Sequence, residues 1–274
     1  MLNTAILPHH TSWAGYFRNL NFIVVDELHT YRGVLGSHLA NIFVRLLRIC
    51  RHYGSDPVFI CCSATIANPR EHAELLTGKP AVLINENGAP SAEKKLVIYN
   101  PRMINRQRGI RRSSLYEAGR LAHKALSFGI SSILFTGSRT NVELLLKSLK
   151  QQLLKDGKDP GSVRGYRSGY LPAERRETEK NLRNGKLKAV VSTNALELGI
   201  DIGSLDLALI HGFPGSIASV WQQVGRAGRR NSISAAVIIP SGLSIDQFLA
   251  GNPGWLLGAS PETARIDPLN PYIM

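Results

Sequence analysis

The sequence predicts an α/β protein built as two successive lobes, each a parallel sheet wrapped by helices. Short apolar runs of strand length alternate with helical stretches of ten or more residues, the pattern of parallel strands joined by crossover helices. That alternation runs twice, on either side of a polar stretch over residues 85–112 broken by Gly88, Pro90, Pro101 and Gly109. At 274 residues and 43% apolar content, the chain is long enough for two ordinary domains and too apolar for a disordered one.

In the first half, Phe22–Val25 predicts a strand and residues 34–50 a helix, because Leu35, Leu39, Ile42, Leu46 and Ile49 recur at helical spacing. Residues 58–62 predict a second strand, 69–76 a short helix opened by Pro69, and 80–84 a third strand. A strand over 96–99 opens the next unit. There the periodicity predicts helices over 114–128, 142–154, 172–183 and 216–224, and strands over 132–135, 163–166, 189–192, 205–210 and 235–239. The expected division is residues 1–95 for the first lobe, 96–112 for a linker, 113–250 for the second lobe and 251–274 for the start of a C-terminal extension.

The formal charge is +13, from 33 Lys and Arg against 20 Asp and Glu. Such an excess favours a polyanionic partner, most often nucleic acid, over the alternative of a merely basic soluble protein. Basic residues crowd Arg102 to Arg112 and Arg175 to Lys188. The three cysteines, Cys50, Cys61 and Cys62, show neither metal-ligand spacing nor a disulfide framework, so no zinc is expected within this chain and a reducing compartment, the cytoplasm, is. No apolar stretch is expected to approach the ~18 residues that span a bilayer, and no membrane partner is expected.

Four segments carry candidate chemistry. Asp26-Glu27-Leu28-His29 follows the first apolar strand. Adjacent carboxylates at the carboxyl end of a parallel strand can hold Mg²⁺ and activate a water beside a nucleotide, with Asp26 on the metal through a water, Glu27 as general base and His29 passing the nucleotide state onward. A solvated turn is the alternative. Ser63-Ala64-Thr65 follows the second strand, so its hydroxyls are expected at the same edge, able to hydrogen-bond the carboxylates; an ordinary helix cap is the alternative. Gln222-Gln223-Val224-Gly225-Arg226-Ala227-Gly228-Arg229-Arg230 places Arg226 and Arg229 three apart between glycines, so both can reach one anion while Gly225 keeps the backbone slim. They read as arginine fingers toward a γ-phosphate, against a solvated basic helix end. In the segment from Ser192 to Asp201, Gly199 would let the backbone approach a nucleotide, Asp201 accept from a ribose hydroxyl and Thr193 contact a nucleic-acid phosphate.

Taken in order, Asp-Glu-Leu-His, Ser-Ala-Thr, the segment from Ala195 to Asp201, and Gln-x-x-Gly-Arg-x-Gly-Arg resemble motifs II, III, V and VI of superfamily 2 helicases. The segment from Leu134 to Arg139 resembles motif IV, and Arg167 to Glu179 resembles the segment lining the same track. The resemblance implies two RecA-like lobes with parallel sheets, the first incomplete at its N-terminus. It implies ATP and Mg²⁺ as cofactors, Gln222 positioning water beside His29, and Ser138, Arg139, Arg167 and Thr193 on the nucleic-acid backbone. His-Thr-Tyr-Arg-Gly after the acidic pair, Asn87-Gly88-Ala89-Pro90, Tyr170-Leu171-Pro172 and Gly212-Phe213-Pro214-Gly215-Ser216 are similar to the DNA-repair helicases related to mitomycin repair factor A. That group implies ATP-driven 3′→5′ movement on DNA, single-stranded and at duplex junctions, and a zinc module beyond this chain.

A Gly-x-x-x-x-Gly-Lys-Ser/Thr phosphate loop is expected upstream of the acidic pair, and the residues before Asp26 contain none. The chain is therefore expected to be a fragment of a longer helicase, inactive as an ATPase alone. No wedge hairpin is expected between Asp201 and Gln222. The rival reading is a nucleic-acid-binding module without catalysis, and an RNA motor is a third.

Overall fold

The computed structural model describes residues 1–274 except 87, 89–92, 201, 204, 229–233 and 274. The chain divides into two compact units, one of Met1–Asn87 with Ser260–Met274, the other of Gly88–Ala259.

In the first unit, α1 (Ala14–Arg18) leads into β1 (Phe22–Val25), α2 (Gly33–His52), β2 (Val58–Cys61) and α3 (Pro69–Thr77). β1 and β2 pair in parallel, Val25 opposite Cys61, so both strands end at one edge. The inward positions of β1 pack on α2 and α3 through Phe17, Val25, Leu28, Phe43, Leu46 and Leu76. On the opposite face Phe22, Val24, Val58 and Ile60 are exposed, although parallel sheets are ordinarily covered on both sides. The expected strand over 80–84 does not form. Val82 and Ile84 stand 92% and 85% exposed, because an apolar run needs a partner strand and none lies beside it among the described residues.

The sequence expectation that no stretch approaches membrane-spanning length is corrected by α2, which at 20 residues is long and apolar enough by length and composition. Ala40, Phe43, Leu46, Leu47 and Cys50 on its buried side make it a core helix of this unit.

Residues 260–273, expected within a separate extension, belong to this unit instead. Gly33 N donates to Arg265 O (2.7 Å), Asp267 N to Ser37 Oγ (2.9 Å), and Asn68 exchanges bonds with the Ala264 backbone (3.0 and 2.9 Å). A Cβ at Gly36 would overlap the Tyr31 carbonyl and Ile266, so glycine is required there.

The second unit holds β3 (Lys94–Ile98), a hairpin of β4 (Met103–Asn105) and β5 (Ile110–Arg111), α4 (Ser114–Ser127), β6 (Ser132–Thr136), α5 (Arg139–Lys155), β7 (Val163–Tyr166), α6 (Pro172–Arg183), β8 (Ala189–Ser192), β9 (Leu207–His211), α7 (Ile217–Gly225), β10 (Ser234–Ile239), α8 (Ser244–Gly251) and α9 (Pro253–Gly258). Its sheet runs β3-β10-β9-β6-β8-β7, every pair parallel. Alternate β6 residues serve opposite cores: Leu134 packs with Val142, Leu145 and Leu149 of α5, and Ile133 and Phe135 with Val220 and Val224 of α7. The structure differs here from the expected linker over 96–112, since β3 is an edge strand of this sheet and the hairpin follows it. Between Leu205 and Val220 the chain passes from β9 to α7 without a hairpin.

A candidate nucleotide and nucleic-acid site

At the edge of the first unit the β1–β2 ladder continues one step past the strands. Cys62 N donates to Val25 O (2.9 Å) and Leu28 N to Cys62 O (2.8 Å). Asp26 and Glu27 are thereby pinched outward between two fixed points. Glu27 takes φ 52°, ψ 46°, and is the one non-glycine residue with positive φ among the described residues. A side chain there costs on the order of 1 kcal/mol, and such strain clusters at functional sites. Glu27 N donates to Asp26 Oδ1 (2.9 Å), and Thr30 donates to Glu27 O from both N and Oγ1 (2.8 Å each). The Asp26 carboxylate is left exposed and Glu27 half-buried.

His29 is buried, and Ala64 N donates to its Nδ1 (3.2 Å). An amide donor at Nδ1 makes that nitrogen the acceptor and leaves the ring proton on Nε2. Glu27 Oε2 lies 3.5 Å from the same Nδ1, a contact that becomes favourable only when the ring is protonated. Ser63 Oγ donates to Ala64 O (2.7 Å), and neither the Ser63 nor the Thr65 hydroxyl bonds Asp26 or Glu27 among the described residues. The expected hydroxyl–carboxylate link is thus corrected: the two segments meet through the Ala64 amide and the His29 ring.

Sequence reasoning missed His72, which is fully buried on α3 with Nε2 3.3 Å from Leu28 O. Burial pushes its pKa down, so the ring is neutral and donates from Nε2, fixing the turn beyond Glu27. Its position on the apolar face of α3, next to Ala73 and one turn before Leu76, was the available signal.

In the six-stranded sheet of the second unit every strand ends at the same edge, where ligands of open α/β folds bind. Thr136-Gly137-Ser138-Arg139 leave β6, Arg167 leaves β7 and Thr193 leaves β8. Ser138 caps α5 by accepting from Asn141 N (3.1 Å), and Arg139 Nη2 donates to Ser168 Oγ (3.2 Å); both residues are exposed. Thr193 is half-buried and accepts from Ala195 N (3.4 Å). Arg167, expected on the nucleic-acid backbone, is already engaged within the protein. Its Nε donates to Glu143 Oε1 (2.9 Å), its guanidinium lies 4.5 Å over the Tyr170 ring, and Tyr170 OH donates to the same Glu143 oxygen (2.9 Å). The Arg167 bond, opposed by partial burial, holds the Glu143 carboxyl below the usual range.

Arg226 ends α7 and is already engaged. It donates to Glu197 O from Nη2 (2.7 Å) and Nε (3.2 Å) and to Ile200 O from Nη1 (2.8 Å). Beside it the buried pair Gln223 Nε2 and Glu197 Oε2 meets at 3.0 Å, a bond that sequence reasoning did not assign. Gln222 is half-buried on the same helix. Gly225 and Gly199 differ in what the fold asks of them. Gly199 has φ 60°, whereas a Cβ at Gly225 would meet nothing within 4 Å, so the fold itself does not demand glycine there. Asp201 and Arg229 lie outside the described residues. Near the ends of β6 and β9, His211 is held between Ser114 Oγ (3.0 Å, Nε2) and Thr136 Oγ1 (3.1 Å, Nδ1), and burial pushes its pKa down.

The first unit thus carries an exposed carboxylate and a strained strand end, and the second a sheet edge with hydroxyls, a guanidinium and an unobstructed glycine. Residues 120–231 match the helicase conserved C-terminal domain, and the chain belongs to the superfamily 2 helicases. It is 54% identical over its whole length to the uncharacterized ATP-dependent helicase YprA of Bacillus subtilis (strain 168), of which it spans 36%. It is 40% identical over 262 residues to the ATP-dependent helicase HRQ1 of Saccharomyces cerevisiae, covering 94% of this chain and 24% of that protein. A crystal structure of the DUF1998 helicase MrfA bound to DNA and AMPPNP superposes with a TM-score of 0.96 at 53% identity, over 100% of this chain and 38% of that one. The family is one of ATP-dependent helicases, and the lobes are RecA-like.

Proposed function

We propose that this chain is part of a DNA helicase that couples ATP hydrolysis to 3′→5′ movement and duplex unwinding, in DNA repair. The observation that carries the reading is Glu27, a carboxylate residue with strained backbone just past β1, flanked by Val25 and Leu28, whose backbones both bond Cys62 after β2. Among the described residues no three His, Cys, Asp or Glu side chains cluster to hold a metal ion. The exposed Asp26 carboxylate suits Mg²⁺, which is commonly met by one or two carboxylates while phosphates and water fill its other positions. Asp26 is the residue that would hold it, and the ion would neutralise charge on the phosphates. The Glu27 carboxylate orients the attacking water and takes its proton. Arg229 is an arginine finger in this reading, and Arg226 is a finger that also braces the loop from Glu197 to Ile200. Gly199, Gly225 and Asp201 border the nucleotide. Ser138, Arg139 and Thr193 contact phosphates of the tracked strand, with Arg167 held beside them by Glu143. Contacts of that kind are largely blind to sequence. A cytoplasmic location accompanies this proposal.

Removal of a general base commonly costs about 10²-fold or more. In the full-length gene product, Glu27→Gln should therefore lose DNA-stimulated phosphate release by at least that factor while a fluorescent ATP analogue still binds. Release within tenfold of wild type would reject the assignment. The 274-residue chain alone, whose sequence contains no Gly-x-x-x-x-Gly-Lys-Ser/Thr loop, should bind single-stranded DNA and release no phosphate.

A further inference from the structure

One strongly basic segment of the second unit is not among the residues assigned above. Residues 102–112 hold Arg102, Arg106, Arg108, Arg111 and Arg112 and no acidic residue. They fold into the antiparallel β4–β5 hairpin, Met103 opposite Arg111, closed by Arg112 N donating to Arg102 O (2.9 Å) and by Arg108 N donating to Asn105 Oδ1 (3.0 Å). Gly109, at φ 63°, supplies the left-handed residue of the turn.

The five arginines divide by partner. Arg111 Nη1 donates to Pro101 O (2.8 Å) and Arg112 Nη1 to Glu117 Oε1 (3.0 Å), so these two anchor the hairpin base. Arg102, Arg106 and Arg108 are exposed, and no carboxylate pairs with them among the described residues. Three unneutralised guanidiniums on a stem of a few residues repel one another unless an anion lies among them. Met103, Ile104 and Ile110 are also exposed, by 45%, 65% and 48%. A small inorganic anion would use the guanidiniums and leave that apolar surface in water. A nucleic-acid strand offers phosphates and apolar base faces together.

Topology puts the hairpin where such a strand would run. It leaves the carboxyl end of β3, and all six strands of this sheet are parallel, so it rises from the same edge as Ser138, Arg139 and Thr193. β3 lies three strands from β6, about 14 Å across the edge at ~4.8 Å per strand. A groove of about 420 Å³ at its base is lined by Arg111, Arg112, Ser113, Ser114 and Ser241.

We propose that the β4–β5 hairpin is a second nucleic-acid contact of this lobe, with Arg102, Arg106 and Arg108 on phosphates and the apolar side chains against bases. The inference rests on the DNA reading above. The test is binding of the 274-residue chain to a fluorescein-labelled oligo(dT), followed by anisotropy between 50 and 300 mM NaCl. Each single-strand phosphate contact contributes about 0.7 to the slope of log K against log salt, so Arg102→Gln/Arg106→Gln/Arg108→Gln should lower the slope by about 2, and Arg108→Gln alone by about 0.7. Lys147→Gln/Lys155→Gln/Lys158→Gln removes the same charge from exposed positions on and just beyond α5 and should leave the slope nearly unchanged. Thermal melting checks that each variant is folded. A wild-type chain without salt-dependent binding would overturn both the DNA reading and this one. A wild type that binds, with hairpin variants retaining its slope or lysine variants losing as much, would overturn the hairpin alone.

Discussion

Arg226 offers a decision between two roles that one residue can hold. A finger that waits for phosphate contributes little to the stability of the ligand-free lobe, whereas a clamp contributes measurably. The structure gives three donors on two carbonyls, Glu197 O and Ile200 O. A hydrogen bond from a charged donor is worth about 1.5–3 kcal/mol when buried, and about 1 kcal/mol is the appropriate scale for this half-buried side chain. Arg226→Ala then costs about 3 kcal/mol, and Arg226→Lys, whose ammonium can keep one of the three bonds, about 2 kcal/mol. For a domain of this size each kcal/mol moves Tm by about 2–4 °C, so Arg226→Ala should melt about 6–12 °C below wild type. The assay is thermal and urea unfolding of the 274-residue chain without nucleotide, with no activity needed. A melting point within 1 °C of wild type for both variants would refute the clamp and return Arg226 to a finger alone.

The other predictions concern single carboxylates. Glu27→Gly should stabilise the first unit by up to about 1 kcal/mol through relief of left-handed strain, less the added freedom of the unfolded chain, while Glu27→Ala should not; urea midpoints that rank alanine above glycine would remove the strain argument. Burial pushes the Glu117 carboxyl up, but hydrogen bonds from Arg120, Arg112 and Tyr99 outweigh it and hold it below the usual range. A depressed carboxyl stabilises above its unfolded pKa near 4.3 and loses that contribution as pH falls through the lower folded value. Glu117→Gln should accordingly cost about 2 kcal/mol at pH 7, with the gap closing below about pH 4. A gap that stays constant from pH 7 to pH 3.5 in urea titrations would show that Glu117 acts by shape and not by charge.

Most strands and helices were legible because their signals are local. β1, β7, α6 and β8 have the predicted bounds. The failures were all non-local. Residues 80–84 are as apolar as a strand but have no neighbour to pair with among the described residues, and residues 260–273 carry no period, being held by isolated bonds such as Asp267 N to Ser37 Oγ. The β4–β5 hairpin is too short to show alternation. Within the site the residue types were legible, but their engagements were not. Nothing in Gln-x-x-Gly-Arg says that Arg226 reaches back to carbonyls some 26–29 positions earlier, or that Glu143 and Tyr170 enclose Arg167.

The same distinction explains how the acidic edge is made rigid. Glu27 has the wrong local preference for its backbone, so its conformation has to be imposed from outside the segment. The imposing bonds are Cys62 N to Val25 O and Leu28 N to Cys62 O, with His72 behind Leu28 and Ala64 N on His29. Each of these partners lies on β2's end or α3, not on β1. The Ser-Ala-Thr segment therefore acts on the acidic edge without its hydroxyls touching a carboxylate: moving the end of β2 moves the clamp that holds Glu27 out of its preferred conformation. A shift of either segment is transmitted to the other through backbone bonds, which are short, directional and hard to stretch. This makes β1's end and β2's end one mechanical piece, in which strand pairing fixes the Glu27 backbone.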